Sequence, residues 1–232
     1  MKEILTPDFE QALLAFSWLR ERAFPRRTSF QLVSDRYRLN RFQRVILYHS
    51  IFPEGEAGAR EARKVMQLHH QHLWIDGFNV LFTVANYLLG RPVFISCDGV
   101  MRDAGEAFPK PDKPDQFSRA ALLCRKVMEI LQPASVTFVL DTQVPACSLV
   151  KELLQEQYKG AAFSVDIHCT NKADQFLLFQ RAGIMASSDS EVLDGFDGPW
   201  LDLAAYALQQ LGDFQVVNFR ELVGQLNSKY KL

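Results

Sequence analysis

Three apolar segments each end on an aspartate: Leu73-Trp74-Ile75-Asp76, Val136-Thr137-Phe138-Val139-Leu140-Asp141 and Gly183-Ile184-Met185-Ala186-Ser187-Ser188-Asp189. A fourth carboxylate, Asp174, follows Asn171-Lys172-Ala173. If these segments are parallel neighbouring strands, their carboxylates meet at one edge of one sheet, outside the carboxyl ends of the strands, where open α/β sheets hold ligands. Carboxylates brought together repel and raise one another's pKa, a cost that a divalent cation such as Mg2+ or Mn2+ offsets. The chemistry indicated is metal-dependent hydrolysis, in which the cation acidifies water and neutralises charge on the leaving oxygen, so that no protein nucleophile is needed.

The surrounding residues fit this reading. Gly77 permits a tight turn directly after a strand, and Asn79 can orient the Asp76 carboxylate. Thr142 offers a hydroxyl beside Asp141, while Ser188 and Ser190 offer small hydroxyls on either side of Asp189. Taken singly, each aspartate is equally what a helix N-cap or first turn looks like. Four of them at successive strand ends carry more weight than any one.

The elements that must position these groups are legible from Arg60 onward as alternating strands and helices, the pattern of a mainly parallel α/β sheet. Strands are expected at Pro92 to Asp98, Phe163 to Ile167 and Phe214 to Asn218, besides those ending on the aspartates. The stretch 96–114 reads as an irregular inserted loop carrying Asp98, Asp103, Glu106, Pro109, Pro111 and Pro114, with Asp98 a further candidate ligand. Ahead of this domain, residues 1–60 read as a small helical segment. Phe9, Ala12, Leu13, Phe16 and Leu19 fall at helical spacing, and Asn40 with Gln43 forms the signature of a capping box that opens another helix. Pro53 and Gly55-Glu56-Ala57-Gly58 are expected to close it.

The chain has 232 residues and a net charge of -1, so nucleic-acid affinity must come from a local patch. Such a patch lies between Arg20 and Arg44, where Arg26, Arg27, Arg36, Arg38, Arg41 and Arg44 are candidate phosphate contacts interleaved with Phe30, Tyr37, Phe42 and Tyr48. A face that docks on protein is the other use of the same residues. The four cysteines show neither metal-ligand nor paired spacing, no apolar run could span a membrane, and a reducing cytoplasm is the expected compartment. His69, His70, His72 and His168 lack converging spacing and read as solvated.

The motifs Ile75-Asp76-Gly77-Phe78-Asn79-Val80, Phe138-Val139-Leu140-Asp141, Ala173-Asp174 and Ala186-Ser187-Ser188-Asp189, in that order, resemble the PIN-like nucleases and especially their NYN branch. The arrangement also resembles an uncharacterised prokaryotic family in which such a domain follows an arginine-rich helical segment. The resemblance covers roughly residues 70–220. It implies a three-layer α/β/α fold and a Mg2+- or Mn2+-dependent ribonuclease, with Asp76, Asp141, Asp174 and Asp189 as the acidic quartet and Asn79 in support. An inactive RNA- or protein-binding module of the same fold, and a metal-dependent hydrolase of small phosphorylated molecules, are the alternatives. Asp98-Gly99-Val100-Met101-Arg102-Asp103 resembles the first motif of the haloacid-dehalogenase-like phosphatases, but Ser96 stands where their nucleophilic aspartate is required.

Overall fold

Leu73 and Ile75 are buried to 0% exposure on a five-residue strand, β1 (His72–Asp76), because β1 lies inside a sheet rather than at its edge. The computed structural model describes residues 4–68, 70–108 and 113–230, and divides the chain into two units. Unit 2 comprises Arg63–Gly90 and Lys110–Phe214. In it β1, β4 (Ser135–Asp141), β5 (Ser164–Thr170) and β6 (Ile184–Ala186) form an all-parallel sheet in the order β5-β4-β1-β6. Ile75 is in register with Phe138 on one side and Ala186 on the other.

Helices cover both faces of this sheet. Trp74 meets Phe176 of α8 (Ala173–Leu178), with ring centroids 6.0 Å apart. Phe138 shares the face of Ile75, the opposite one by strand alternation, and meets Tyr158 after α7 (Cys147–Gln157) at 5.2 Å. Two further helices, α5 (Gly77–Leu88) and α6 (Pro114–Leu131), pack together through Phe78, Phe82 and Phe117. A Cβ at Gly77 would stand 2.5 Å from a methyl of Leu140 and 3.0 Å from the Val139 carbonyl oxygen. Glycine is therefore what lets α5 start directly on the end of β1. Past β6, the fully buried Trp200 segment adds bridges to Met185 and Lys64, which covers that edge.

Unit 1 comprises Met1–Ala62, Arg91–Pro109 and Gln215–Leu232. Its helices are α1 (Pro7–Glu21), α2 (Arg26–Arg36), α3 (Arg41–Ser50), α4 (Glu54–Glu61) and α11 (Phe219–Tyr230). The Asn40/Gln43 capping box is present, with Gln43 N–H donating to Asn40 Oδ1 at 3.0 Å and Asn40 N–H to Gln43 Oε1 at 3.1 Å. Phe9, Leu13 and Phe16 of α1 pack with Ile46 and Leu47 of α3 and with Phe94 and Phe219.

Four expectations change here. Residues 1–60 do not make a unit by themselves, because their core is completed by Phe94, Ala104 and Phe219 from later in the chain. The strands at 92–98 and 214–218 do not join the parallel sheet. They form a second sheet, β3 (Met101–Asp103), β2 (Val93–Ile95) and β7 (Val217–Asn218), in which β2 and β3 pair antiparallel. Within 96–114 the described residues form a turn, β3 and a short 3-10 helix (Gly105–Ala107), with Val100, Met101 and Ala104 buried, while Pro109 and Pro111 lie outside the described residues. The glycines at 55 and 58 do not end a helix but lie within α4, where Pro53 sets the entry and Glu54 and Glu56 favour the first turn. Two short helices, α9 (Ser190–Gly195) and α10 (Leu203–Gln209), complete the described elements.

Candidate functional site

The sheet order creates a topological switch. From β1 the chain adds β4 and β5 on one side, then returns to place β6 on the other. The carboxyl ends of β1 and β6 flank this reversal, the position at which such sheets bind ligands. Asp76 ends β1, and Ser187, Ser188 and Asp189 follow β6.

The two turns are tied together by hydrogen bonds. Ser187 Oγ donates to Asp76 Oδ2 at 2.8 Å and accepts from the Asp189 N–H at 3.0 Å. Asn79, in the first turn of α5, presents its Oδ1 to both the N–H and the hydroxyl of Ser188, each at 2.7 Å. Ser187 is the residue missed in the reading of supporting groups. Its signal was register: Ala186 pairs with Ile75, so the next residue of each strand, Ser187 and Asp76, lies at the same level.

Electrostatics joins the remaining aspartates to this network. Burial pushes the Asp76 carboxyl up to about 7, helped by the charges of Asp189 and Asp174, while bonds from Ser187 and the Asn79 backbone pull the other way. Asp174 is likewise raised, by burial first and then by Asp189, Asp141 and Glu191. Asp141 and Asp189 also make turn bonds of their own, accepting from the Gln143 N–H at 2.8 Å and the Glu191 N–H at 2.7 Å. Among the described residues no Lys or Arg forms an ion pair with any of the four aspartates. Neither Thr142 nor Ser190 hydrogen-bonds to them; the Thr142 N–H instead donates to the Thr170 carbonyl at 2.9 Å.

An all-oxygen, net-negative donor set without an internal cation is the chemistry that Mg2+ and Mn2+ take. Convergence is incomplete, because among the described residues no three His, Cys, Asp or Glu side chains stand close enough together to hold a metal ion. Like charges without a counter-ion keep apart.

Asp98 is not part of this edge. It lies in unit 1, 0% exposed, with Arg102 donating to both its oxygens at 2.7 and 2.8 Å and Arg60 donating at 2.5 Å. Ser96 also bonds to Arg102. Although burial raises the Asp98 carboxyl, the two guanidiniums outweigh it and hold the group at about 2. The aspartate of the phosphatase-like motif is therefore the centre of a buried ion network and not a ligand. Asp98→Asn is expected to lower stability by about 3–5 kcal/mol, since it leaves buried guanidiniums uncompensated, and to leave Mn2+ affinity unchanged; urea unfolding and calorimetric titration check the two halves.

The arginine patch is likewise partly structural. Arg26 donates to the Tyr48 carbonyl at 2.7 Å, lies 4.1 Å over the Tyr48 ring and 4.8 Å over Phe52, and has its pKa lowered by burial. Arg44 is spent on the Leu39 carbonyl and Asp35, and Arg41 donates to the Glu106 carbonyl. Arg27, Arg36 and Arg38 remain exposed and, among the described residues, outside any ion pair. Phe30 and Tyr48 pack edge to face against one another, with ring centroids 5.1 Å apart. Of the histidines, His70 is exposed as expected, whereas His72 Nδ1 lies 2.6 Å from Ser135 Oγ and His168 stacks on Phe176; His69 lies outside the described residues.

Four cysteines are free, and among the described residues no helix is long and apolar enough to cross a membrane. The chain is similar to the uncharacterized protein MJ0935 of Methanocaldococcus jannaschii, 24% identical over 207 residues that cover 87% of this chain and 97% of that one. No solved structure matches it. Residues 8–63, the arginine-rich helices, match a protein family of unknown function (DUF434). Residues 65–206, which include all four aspartates, match the domain of unknown function DUF5616, and the chain belongs to that family.

Proposed function

We propose that this protein is a divalent-metal-dependent phosphodiesterase that cleaves RNA, with a PIN-like, NYN-type α/β/α domain as its catalytic part. The observation that carries the reading is the placement of Asp76, Asp141 and Asp189 at strand ends along one edge of an all-parallel sheet, with Asp174 in the field of both Asp189 and Asp141 and, among the described residues, no basic side chain paired to the four. Asp76 and Asp189, linked through Ser187, would hold Mg2+ or Mn2+ together with Asp141 and Asp174. A cation bound there supplies acidification of water and neutralisation of phosphate charge. Ser187 orients the Asp76 carboxylate, and Asn79 fixes the turn that carries Ser188 and Asp189. The exposed Arg27, Arg36 and Arg38 are the groups of the patch left free for backbone phosphates, which would give affinity without sequence selectivity. The free thiols suit a reducing cytoplasm.

The test is cleavage of end-labelled single-stranded and structured RNA in Mn2+, Mg2+ or EDTA, with nucleoside monophosphates as a parallel substrate. Cutting of RNA in either cation and none in EDTA is the expected result. Hydrolysis of the monophosphates alone would replace RNA with a small phosphorylated substrate. A second reading, a catalytically inactive module that binds RNA or protein, draws on the incomplete convergence of the carboxylates. It predicts RNA binding without cutting in any cation, unchanged when Asp76 and Asp141 are both replaced by Asn.

A further inference from the structure

We propose that unit 1 carries a second site, a groove between α1 and α2 that docks an amphipathic helix of a partner protein with apolar anchors and acidic flanks. A cavity of about 400 Å³ opens between these helices. Its inner surface is Ala15, Leu19 and the buried Val33, and Tyr37 closes one side. Trp18 and Leu32 stand at its mouth, 52% and 62% exposed, and Phe24, 47% exposed, extends the apolar surface from Trp18 at 6.4 Å. Apolar side chains of this size left open together mark an interaction surface rather than scattered exposure.

The charge around the groove has one sign. Arg36 lines it, and the Arg22 guanidinium lies 3.9 Å over the Trp18 ring. Among the described residues no carboxylate lines it. The two nearest in sequence are turned to other work: Asp35 accepts from Arg44 and Gln31, and Glu21 accepts from the Glu54 N–H. A carbon-lined trough between two helices, bordered by arginines, complements a helix that presents apolar residues at i, i+3, i+4 and i+7 with Glu or Asp beside them. It complements a nucleobase poorly, since Ala15, Leu19, Leu32 and Val33 offer no side-chain group to the polar edge of a base.

The full-length protein would be titrated into a fluorescein-labelled helical peptide of about 18 residues with Leu at the anchor positions and Glu elsewhere. A twin with Lys in place of Glu, and an oligouridine, serve as comparisons. The Glu peptide is expected to bind in the micromolar range, the Lys twin at least about tenfold more weakly. Leu32→Asp should weaken binding by about tenfold or more, and Arg22→Glu/Arg36→Glu by about tenfold. These side chains are at the surface, so an unchanged Tm separates lost docking from lost folding. Absence of saturable binding, equal affinity for the two peptides, or indifference to Leu32→Asp overturns the proposal. Displacement of the peptide by oligouridine, with RNA binding lost in Leu32→Asp, would assign the groove to RNA, and a dimer in sedimentation that Leu32→Asp dissociates would assign it to a second copy of the chain.

Discussion

Asp76→Asn is expected to reduce Mn2+-supported RNA cleavage by about a thousandfold or more, corresponding to about 4 kcal/mol of lost transition-state stabilisation. Asp76 has the most constrained position of the four aspartates. It sits at the end of a central strand, is buried, and is held by Ser187 and by the Asn79 backbone. Asparagine keeps the shape and the bond from Ser187 but removes the charge that a cation requires. Single-turnover cleavage of labelled RNA measures the effect, and circular dichroism establishes that the fold is kept. A rate within about tenfold of the parent protein would remove Asp76 from the proposed metal site.

The same substitution is expected to stabilise the protein in EDTA at pH 8. In the folded chain the Asp76 carboxyl is raised from 3.8 to about 7, so the folded state keeps its proton over a range in which the unfolded chain has lost it. The associated stability is fully present below about pH 4 and is lost as pH rises through about 7, by up to about 4 kcal/mol. Asp98 acts in the opposite sense. Its carboxyl is held at about 2, so its contribution is present above about pH 4 and is lost as pH falls toward 2. The metal-free protein should therefore be most stable on the acid side of neutrality, and Asp76→Asn should remove only the decline toward alkaline pH. Urea unfolding at pH 5 and pH 8 decides this. Equal slopes for the parent and Asp76→Asn would mean that Asp76 ionises freely. Added Mn2+ should restore stability to the parent at pH 8 by binding the folded state alone, and should not do so in the variant.

The acidic edge was legible because strand ends are written in the sequence. Apolar runs that stop on Asp76 and Asp141 needed only a parallel sheet to bring their ends to one edge; the strands are neighbours, with Asp76 in register with Val139 and Asp141 two residues further along. Asn40 and Gln43 likewise announced a helix start that the structure contains. What failed depended on contacts remote in sequence. Asp98 looked like a loop carboxylate because nothing local reveals that Arg60, 38 residues away, reaches it. Arg26 and Arg44 looked like free phosphate contacts because the carbonyl acceptors that hold them, Tyr48 and Leu39, are of a kind present at every residue and so leave no signal in sequence. The strand at 93–95 was assigned to the wrong sheet, since a three-residue apolar run does not say which neighbour it pairs with. Ser187 was overlooked because its role depends on the register between β6 and β1, and register is set by the whole sheet.

The most direct test of the acidic centre is Mn2+ binding, measured by calorimetric titration of the intact protein and of Asp76→Asn/Asp141→Asn at pH 7. Saturable binding is expected in the parent, accompanied by proton release as the Asp76 carboxyl gives up its hydrogen. Both the binding and the proton release should disappear in the double variant. Equal binding by the two proteins, or none by either, would contradict the assignment of these aspartates as a metal centre.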